Sequence, residues 1–528
     1  MLFRYFMRKV VFWQNHNRRE HDNEDYLDKY IARSLAENIE FFKLVLGNSN
    51  DIKIHEFMFG DCCEFNGAII YIDGLVNNLE ITESILKPII LNKDFKDDII
   101  ENFNMGDLKK CIICSGDTGE SKKYSDLLEG CLSGNTILLV DGLSTGLIVS
   151  TKRWEKRSVT EPQTESVVRG PREGFTEDFR TNTSLLRRRI KSPQFKMENM
   201  IIGRKTYTHV CIAYIEGIVR PEILKALRAR LKNIDVDSII DSSYIEEYIE
   251  DYPFSIFSTI GYSEKPDVVA AKILEGRVAI VVDGSPFVLT VPMLFVESFQ
   301  TAEDYYIRPI YASLIRMMRF LAYFIAIFAV PGFIALTTFH QELIPTTLLF
   351  TVANAREGTP FPALIEGLIM VISFEILREA GLRLPRPIGQ AISIVGALVM
   401  GDAAVSAGIV GAPMVINVAI AAVAGFIIPE QADSISILRI IMMFLASALG
   451  GFGIAVGFLG MLIHLSILEP FGVPYFASIK FSRNQQDSFV RMPLWIMEER
   501  PKELAYIDEK RKKTFIPPNE GKDNNIEK

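Results

Sequence analysis

The sequence predicts a two-part membrane protein: duplicated α/β soluble domains followed by an α-helical transmembrane domain with broken and re-entrant helices. Three observations predict it. Charge is segregated, since 15 of the 161 residues from Phe320 to Lys480 are charged against 107 of the other 367. The charged part contains an internal repeat, and the apolar part contains long uncharged runs broken by glycine and proline.

The repeat rests on two pairs of segments. Ala68-Ile-Ile-Tyr-Ile-Asp-Gly-Leu-Val76 resembles Cys211-Ile-Ala-Tyr-Ile-Glu-Gly-Ile-Val219, and Asp141-Gly142 resembles Asp283-Gly284 at nearly the same offset. Each copy reads as an apolar β-rich run, a helix, a less regular middle, a helix ending at Glu-Gly, and a hairpin. In the first copy the helices lie near Leu79 to Ile90 and Tyr124 to Glu129, and the hairpin pairs Thr136 to Val140 with Thr145 to Ser150. In the second, Pro221 opens a helix carrying Ile223, Leu224, Leu227 and Leu231 at helical spacing, and Val278 to Val282 pairs with Phe287 to Val291. The expected divisions are a tail over 1–30, a first subdomain over 31–150, an Arg-rich linker over 151–204 and a second subdomain over 205–305. A transmembrane domain over 306–480 and a cytosolic tail over 481–528 follow.

In the linker, Arg169 and Arg172 flank Gly170-Pro171, where guanidinium forks could meet carboxylates or phosphates. The simpler role for these arginines is pairing with acidic neighbours between domains. All six cysteines, Cys62, Cys63, Cys111, Cys114, Cys131 and Cys211, lie in the charged half, and Cys111-Ile-Ile-Cys114 has an apolar interior with no second pair or nearby His. They read as reduced cysteines of a cytosolic core, with no metal site and no cofactor. The net charge of -8 is intermixed along the chain, so nothing marks nucleic acid as a partner. The absence of Walker A, GxGxxG, HExxH and GxSxG strings leaves no catalytic constellation.

In the apolar half, Phe320 to Phe339 is long enough to span, with Pro331-Gly332 expected to kink or unwind it. Leu343 to Ala355 is too short to cross and suits a re-entrant or interfacial piece. Thr359-Pro-Phe-Pro362 starts a helix running to Ala380, with Gly381 as its stop. That helix carries Glu366 and Glu375, whose carboxylates would be costly in hydrocarbon and so mark a pathway or a partner. Glu375 has Arg378 three residues on. Glu366 has no partner on its own helix and falls on the opposite face.

Pro387 to Pro429 carries only Asp402, set among Gly401, Gly408, Gly411 and Pro413, the composition of a broken helix at an ion or substrate site. Ile440 to Leu468 is one long or one broken span, and Gly453-Ile-Ala-Val-Gly457 has the spacing of a helix-helix contact. Arg308, Arg316 and Arg319 before the first span, Arg378, Arg383 and Arg386 after the helix from Thr359, and Lys480, Arg483 and Arg491 after the last apolar run put both ends of the domain on the cytoplasmic side. The crossings are therefore even in number, four to six, with four full crossings plus re-entrant segments expected. Glu366, Glu375 and Asp402 are the candidate ion pathway. Arg169, Arg172, Pro360, Pro362 and Arg378 are candidate gating or interdomain contacts.

Several strings in order carry a family resemblance. Val168-Arg-Gly-Pro-Arg-Glu-Gly-Phe175, Leu186-Arg-Arg-Arg-Ile-Lys191, Val282-Asp-Gly-Ser-Pro-Phe287 and Glu303-Asp-Tyr-Tyr306 lie in the charged half. Pro360-Phe-Pro-Ala-Leu-Ile-Glu366, Leu377-Arg-Glu-Ala-Gly381, Leu384-Pro-Arg-Pro-Ile-Gly-Gln390 and Ser393-Ile-Val-Gly-Ala-Leu-Val399 lie in the apolar half. Over roughly residues 25 to 495 the chain resembles the A subunits of GerA-type spore germination receptors. The resemblance implies a nutrient germinant receptor of the spore inner membrane, with its N- and C-terminal regions on the spore-core side. It implies partners, a transporter-like B subunit, a lipoprotein C subunit and membrane lipids, and homo-oligomers that conduct ions when germinant arrives. It implies no enzyme. The alternatives are an accessory paralogue associated with the dipicolinic-acid channel, and a secondary transporter, although the apolar half shows no repeat of its own.

Overall fold

The computed structural model describes residues 29–47, 49–60, 65–91, 118–152, 162, 165, 167–383, 399–476, 487–497, 500–501 and 504–505. The expectations about Cys62, Cys63, Cys111, Cys114, Arg386, Lys480 and Arg483 fall outside them, whereas Cys131 and Cys211 are buried and unbridged.

The charged half forms two α/β modules with one topology. The first contains α1 (Leu35–Leu46), β1 (Ile52–Phe59), β2 (Phe65–Ile72) and α2, which runs from Asn78–Glu80 through a π turn at Ile81–Leu86 into Lys87–Leu91. It continues with β3 (Thr118–Ser121), α3 (Tyr124–Leu132), β4 (Thr136–Val140) and β5 (Gly146–Val149). After α4 (Phe179–Arg189), the second contains β6 (Phe195–Ile202), β7 (Thr208–Ile215), α5 (Pro221–Asn233), α6 (Ser242–Ile249), β8 (Gly261–Ser263), α7 (Pro266–Leu274), β9 (Val278–Val282) and β10 (Val288–Val291). Both sheets are antiparallel, in the orders β1-β2-β4-β5-β3 and β6-β7-β9-β10-β8.

The repeated motifs sit at repeated turns. Gly142 and Gly284, which close the two Asp-Gly hairpins, both have φ +84, a left-handed conformation open to glycine without steric cost. The Asp141 carboxylate accepts a bond from the Leu35 N–H at 2.9 Å and so caps α1. Strand β9 is buried on both faces: Val278, Ile280 and Val282 pack with α5 and α6, while Ala279 and Val281 pack toward α4 and α7. The two-residue period of a strand divides one continuous apolar run between two layers.

The modules meet at Arg187 on α4. Its Nε donates to Asp51 Oδ2 at 2.8 Å and its Nη2 to Asp51 Oδ1 at 3.0 Å and Ser49 Oγ at 2.9 Å, with the guanidinium only 1% exposed. Arg188 and Arg189 pair with Glu173. Arg169 and Arg172 are exposed, so among the linker arginines the bidentate interdomain pair is made by Arg187 instead.

The apolar half is a helical domain of α8 (Pro309–Thr338), α9 (Thr346–Arg356), α10 (Ala363–Arg383), α11 (Ala412–Phe426) and α12 (Ala432–Ile467). The helices Pro309–Thr338 and Pro429–Ile467 are long and apolar enough to cross a membrane. Helix α8 continues through Pro331 without the expected unwinding, because its residues before and after keep helical geometry. Helix α10 likewise runs past Gly381 to Arg383.

Helix α12 is a hairpin. Gly450 has non-helical angles (φ 63, ψ -141), and past it the chain folds back. A Cβ placed on Gly457 would lie 2.5 Å from Met442 Sδ, although 15 residues of straight helix would separate the two by about 22 Å. Gly453 lies against the Leu445 carbonyl, so the Gly-x-x-x-Gly spacing serves contact between two legs of one chain. The hairpin tip meets Phe339 and His340 at the far end of α8. Both feet return to the modules, with Gln431 bonded to Ser298 at 2.8 Å and His464 to Ser255 at 3.0 Å.

The C-terminal segment docks as well. Asp487 pairs with Arg316 at 2.8 Å, and Ala505 forms a bridge with Val219 of the second module. Arg316 and Arg319 also share Asp304, which is 0% exposed, at 3.2 and 2.8 Å. Burial pushes the Asp487 carboxyl above its usual range against the pull of Arg316.

Candidate functional site in the helical domain

At the end of the helical domain farthest from the modules, three chain segments converge on Glu366. Pro362 ends an extended entry into α10, and its carbonyl accepts the N–H groups of Ile365 and Glu366 at 2.9 and 3.1 Å. This places Glu366 in the first turn of α10, where it is 0% exposed. Its Oε1 accepts from Thr359 Oγ1 at 3.0 Å and lies 3.5 Å from Arg356 Nη2. Its Oε2 lies 3.5 Å from the Gly411 N–H, the cap of α11.

The electrostatics follow from this convergence. Arg356 closes α9, where the helix dipole favours a cation, and Glu366 lies at the starts of α10 and α11, where it favours an anion. Gly408, at φ +65, turns the chain into this position. An open cleft of about 490 Å³ lined by Asn354, Arg356, Thr359 and Phe361 adjoins the pair. The contacts to Glu366 are long for a buried carboxylate, two of the three reaching 3.5 Å.

Nine residues along α10, about 14 Å by helical rise, Glu375 pairs with Arg378 at 2.8 Å and accepts Ser436 Oγ of α12 at 2.8 Å. The local spacing in the sequence anticipates the first of these contacts but not the second. Asp402 is exposed in a π turn, Val399–Ala403, and contacts neither carboxylate among the described residues. Of the glycines around it in sequence, Gly411 offers its N–H to Glu366. Pro360 and Pro362 are exposed at the entry to α10.

Arg439 is a buried charge that sequence reading missed. It is 2% exposed among α8, α11 and α12, donating to the carbonyls of Ala326 at 2.8 Å and Ala421 at 3.4 Å, while Nη1 has no partner. The apolar run beginning at Ile440 hid it at an apparent boundary. Its place inside the apolar helix Pro429–Ile467 is the signal that finds it.

Two α/β modules of one topology, clamped to an apolar helical domain with buried and loosely held charges, define the class of protein. The chain belongs to the GerA family: the model of the Bacillus/Clostridium GerA spore germination protein matches residues 40–503. It is 46% identical over 483 residues to the uncharacterized membrane protein YfkQ of Bacillus subtilis (strain 168), covering 90% of this chain and 93% of that one. It is 45% identical to spore germination protein KA of the same organism, over 91% and 88% of the two chains. Spore germination protein GerLA of Bacillus cereus is 36% identical over 90% and 97%. The crystal structure of the N-terminal domain of the A subunit of the Bacillus megaterium spore germinant receptor GerK3 aligns with 38% identity and a TM-score of 0.40, covering 51% of this chain and 98% of that one.

Proposed function

We propose that this chain is the A subunit of a nutrient germinant receptor of bacterial spores. It resides in the spore inner membrane, acts with a transporter-like B subunit and a lipoprotein C subunit, and assembles with copies of itself into a ligand-gated ion channel. The observation that carries the channel reading is Glu366, a fully buried carboxylate at the meeting of three helix ends beside an open cleft. A buried acid held by long contacts near broken helices is suited to exchange partners as an ion passes.

The topology supports the same reading. Helix α8 leads away from the modules, α10 and α11 lead back, and the two legs of α12 go out and return. An even number of crossings, four to six, would keep both modules on the spore-core side. Germinant arrival would shift this assembly between closed and open states through differential contacts in the two.

The test is potassium flux from liposomes carrying the chain with and without its partner subunits, repeated with Glu366→Gln. The expected outcome is germinant-dependent flux only in the complete assembly, with altered release kinetics and unchanged oligomer size in the variant. Unchanged kinetics in spores carrying Glu366→Gln would remove this residue from the pathway.

A further inference from the structure

A second cavity, of about 440 Å³, lies where the second module, the foot of α12 and the C-terminal segment meet. Its volume falls within the range of small-molecule sites. The wall combines carboxylates with aromatic rings: Glu165, Asp267 and Glu430 face Tyr262, Tyr305 and Tyr306. Val268, Leu274 and Leu494 complete an apolar portion.

The charge balance is uneven. Lys272 is committed to Glu297 at 3.4 Å, Arg277 to Glu275 and Glu297 at 2.6 Å each, and Arg500 Nε to the Leu274 carbonyl at 2.9 Å. Glu430 makes no ion pair among the described residues, and Glu165 accepts a bond from the Ser263 hydroxyl at 2.7 Å. Asp267, its side chain 6% exposed, uses Oδ2 for Tyr306 and a distant Lys265 at 3.8 Å, while the buried Oδ1 has no partner. Asp267 Oδ1 has no surface open to the cavity, whereas Glu430 lines it unpaired, and an unpaired carboxylate in such a wall costs free energy that a cationic donor would recover. Burial also pushes the Glu165 carboxyl above its usual range.

We propose that this cavity binds a small organic ammonium ion, its N–H or N-alkyl head held by Glu430 and Glu165 among the tyrosine rings and its alkyl body against the apolar portion. Cation–π attraction and carboxylate pairing both favour such a head. Lys272 and Arg277 are already paired with carboxylates, and the wall carries more carboxylates than cations, so the surplus charge is negative. The site touches the module, the helical domain and the tail together, so its occupant would tie the three. The inference is independent of the channel reading.

Isothermal titration of the purified full chain in detergent tests it, using butylammonium chloride as the probe and n-butanol and sodium chloride as controls. Saturable binding of butylammonium alone is expected. Glu430→Gln should weaken it about tenfold or more, Ala271→Trp should abolish it by filling the cavity without removing a charge, and Glu222→Gln on the exposed face of α5 should leave it unchanged. Equal heats with n-butanol, no binding, or undiminished affinity in Ala271→Trp would overturn the proposal, and this last variant decides the matter if Glu430→Gln does not fold.

Discussion

The two α/β modules share a strand order but close in different ways. In the first, Lys152, just after β5, bridges Val76. In the second, the equivalent Val219 is bridged by Ala505, from the far end of the chain, because after β10 the backbone departs for the helical domain. Leu504 completes the core over β9, and Asp487 anchors the same segment to Arg316. The first module is self-contained and held through the Arg187–Asp51 joint, whereas the second cannot be separated from the helices and the tail. Duplication supplied one unit for two settings: one module joined to the other through Arg187–Asp51 and the Asn50–Met197 backbone bond, and one built into the base of the helical domain.

The sharpest break in that comparison is to end the chain after residue 486. The second module and the base of α8 should lose their protease-resistant core while the first module keeps its own, and equal resistance of both would refute the distinction. Next in size is Asp487→Ala, which leaves Arg316 buried with one carboxylate fewer and should cost about 3 kcal/mol, read as a fall in the unfolding midpoint in detergent. Gly134→Ala and Gly276→Ala compare the repeats directly. Both glycines are left-handed, at φ +87 and +105, so each change should cost about 1–2 kcal/mol. Gly276→Ala should cost more, since its Cβ would lie 2.9 Å from the Leu504 carbonyl whereas that of Gly134 meets Leu75 Cβ at 3.3 Å. Equal midpoints for the two would argue that the docked tail yields freely. The smallest effect belongs to Arg204→Ala: its pair with Asp235 is solvent-exposed, and the thermal midpoint should not move measurably.

Much of the architecture was legible because it rests on local pattern. The hairpins around Asp141-Gly142 and Asp283-Gly284, the helix opened by Pro221 and the Glu375–Arg378 pair each depend on residues within a few positions of one another. The candidate site was legible only in part. Glu366 stood out as an acid in an apolar helix, but Arg356 lies before two intervening prolines and a chain reversal, so helix spacing could not reveal the partnership. Asp402 stood beside the helix-breaking glycines in sequence, and the fold delivers one of them, Gly411, to Glu366. Arg439 was concealed because a hydropathy boundary treats a charge at the edge of a run as solvated, while here three helices close over it.

By itself the sequence determined the repeated α/β unit, the position of the apolar helical half and the presence of charges within it, since periodicity and composition act over a turn or a strand. Only the tertiary structure decided that α12 folds back at Gly450, that Arg187 joins the modules, that Ala505 completes the second of them, and which groups surround Glu366 and Arg439. Those contacts join residues tens to hundreds of positions apart, and they form because burial brings distant charges into low dielectric together, where each must find a partner or remain exposed to its cost.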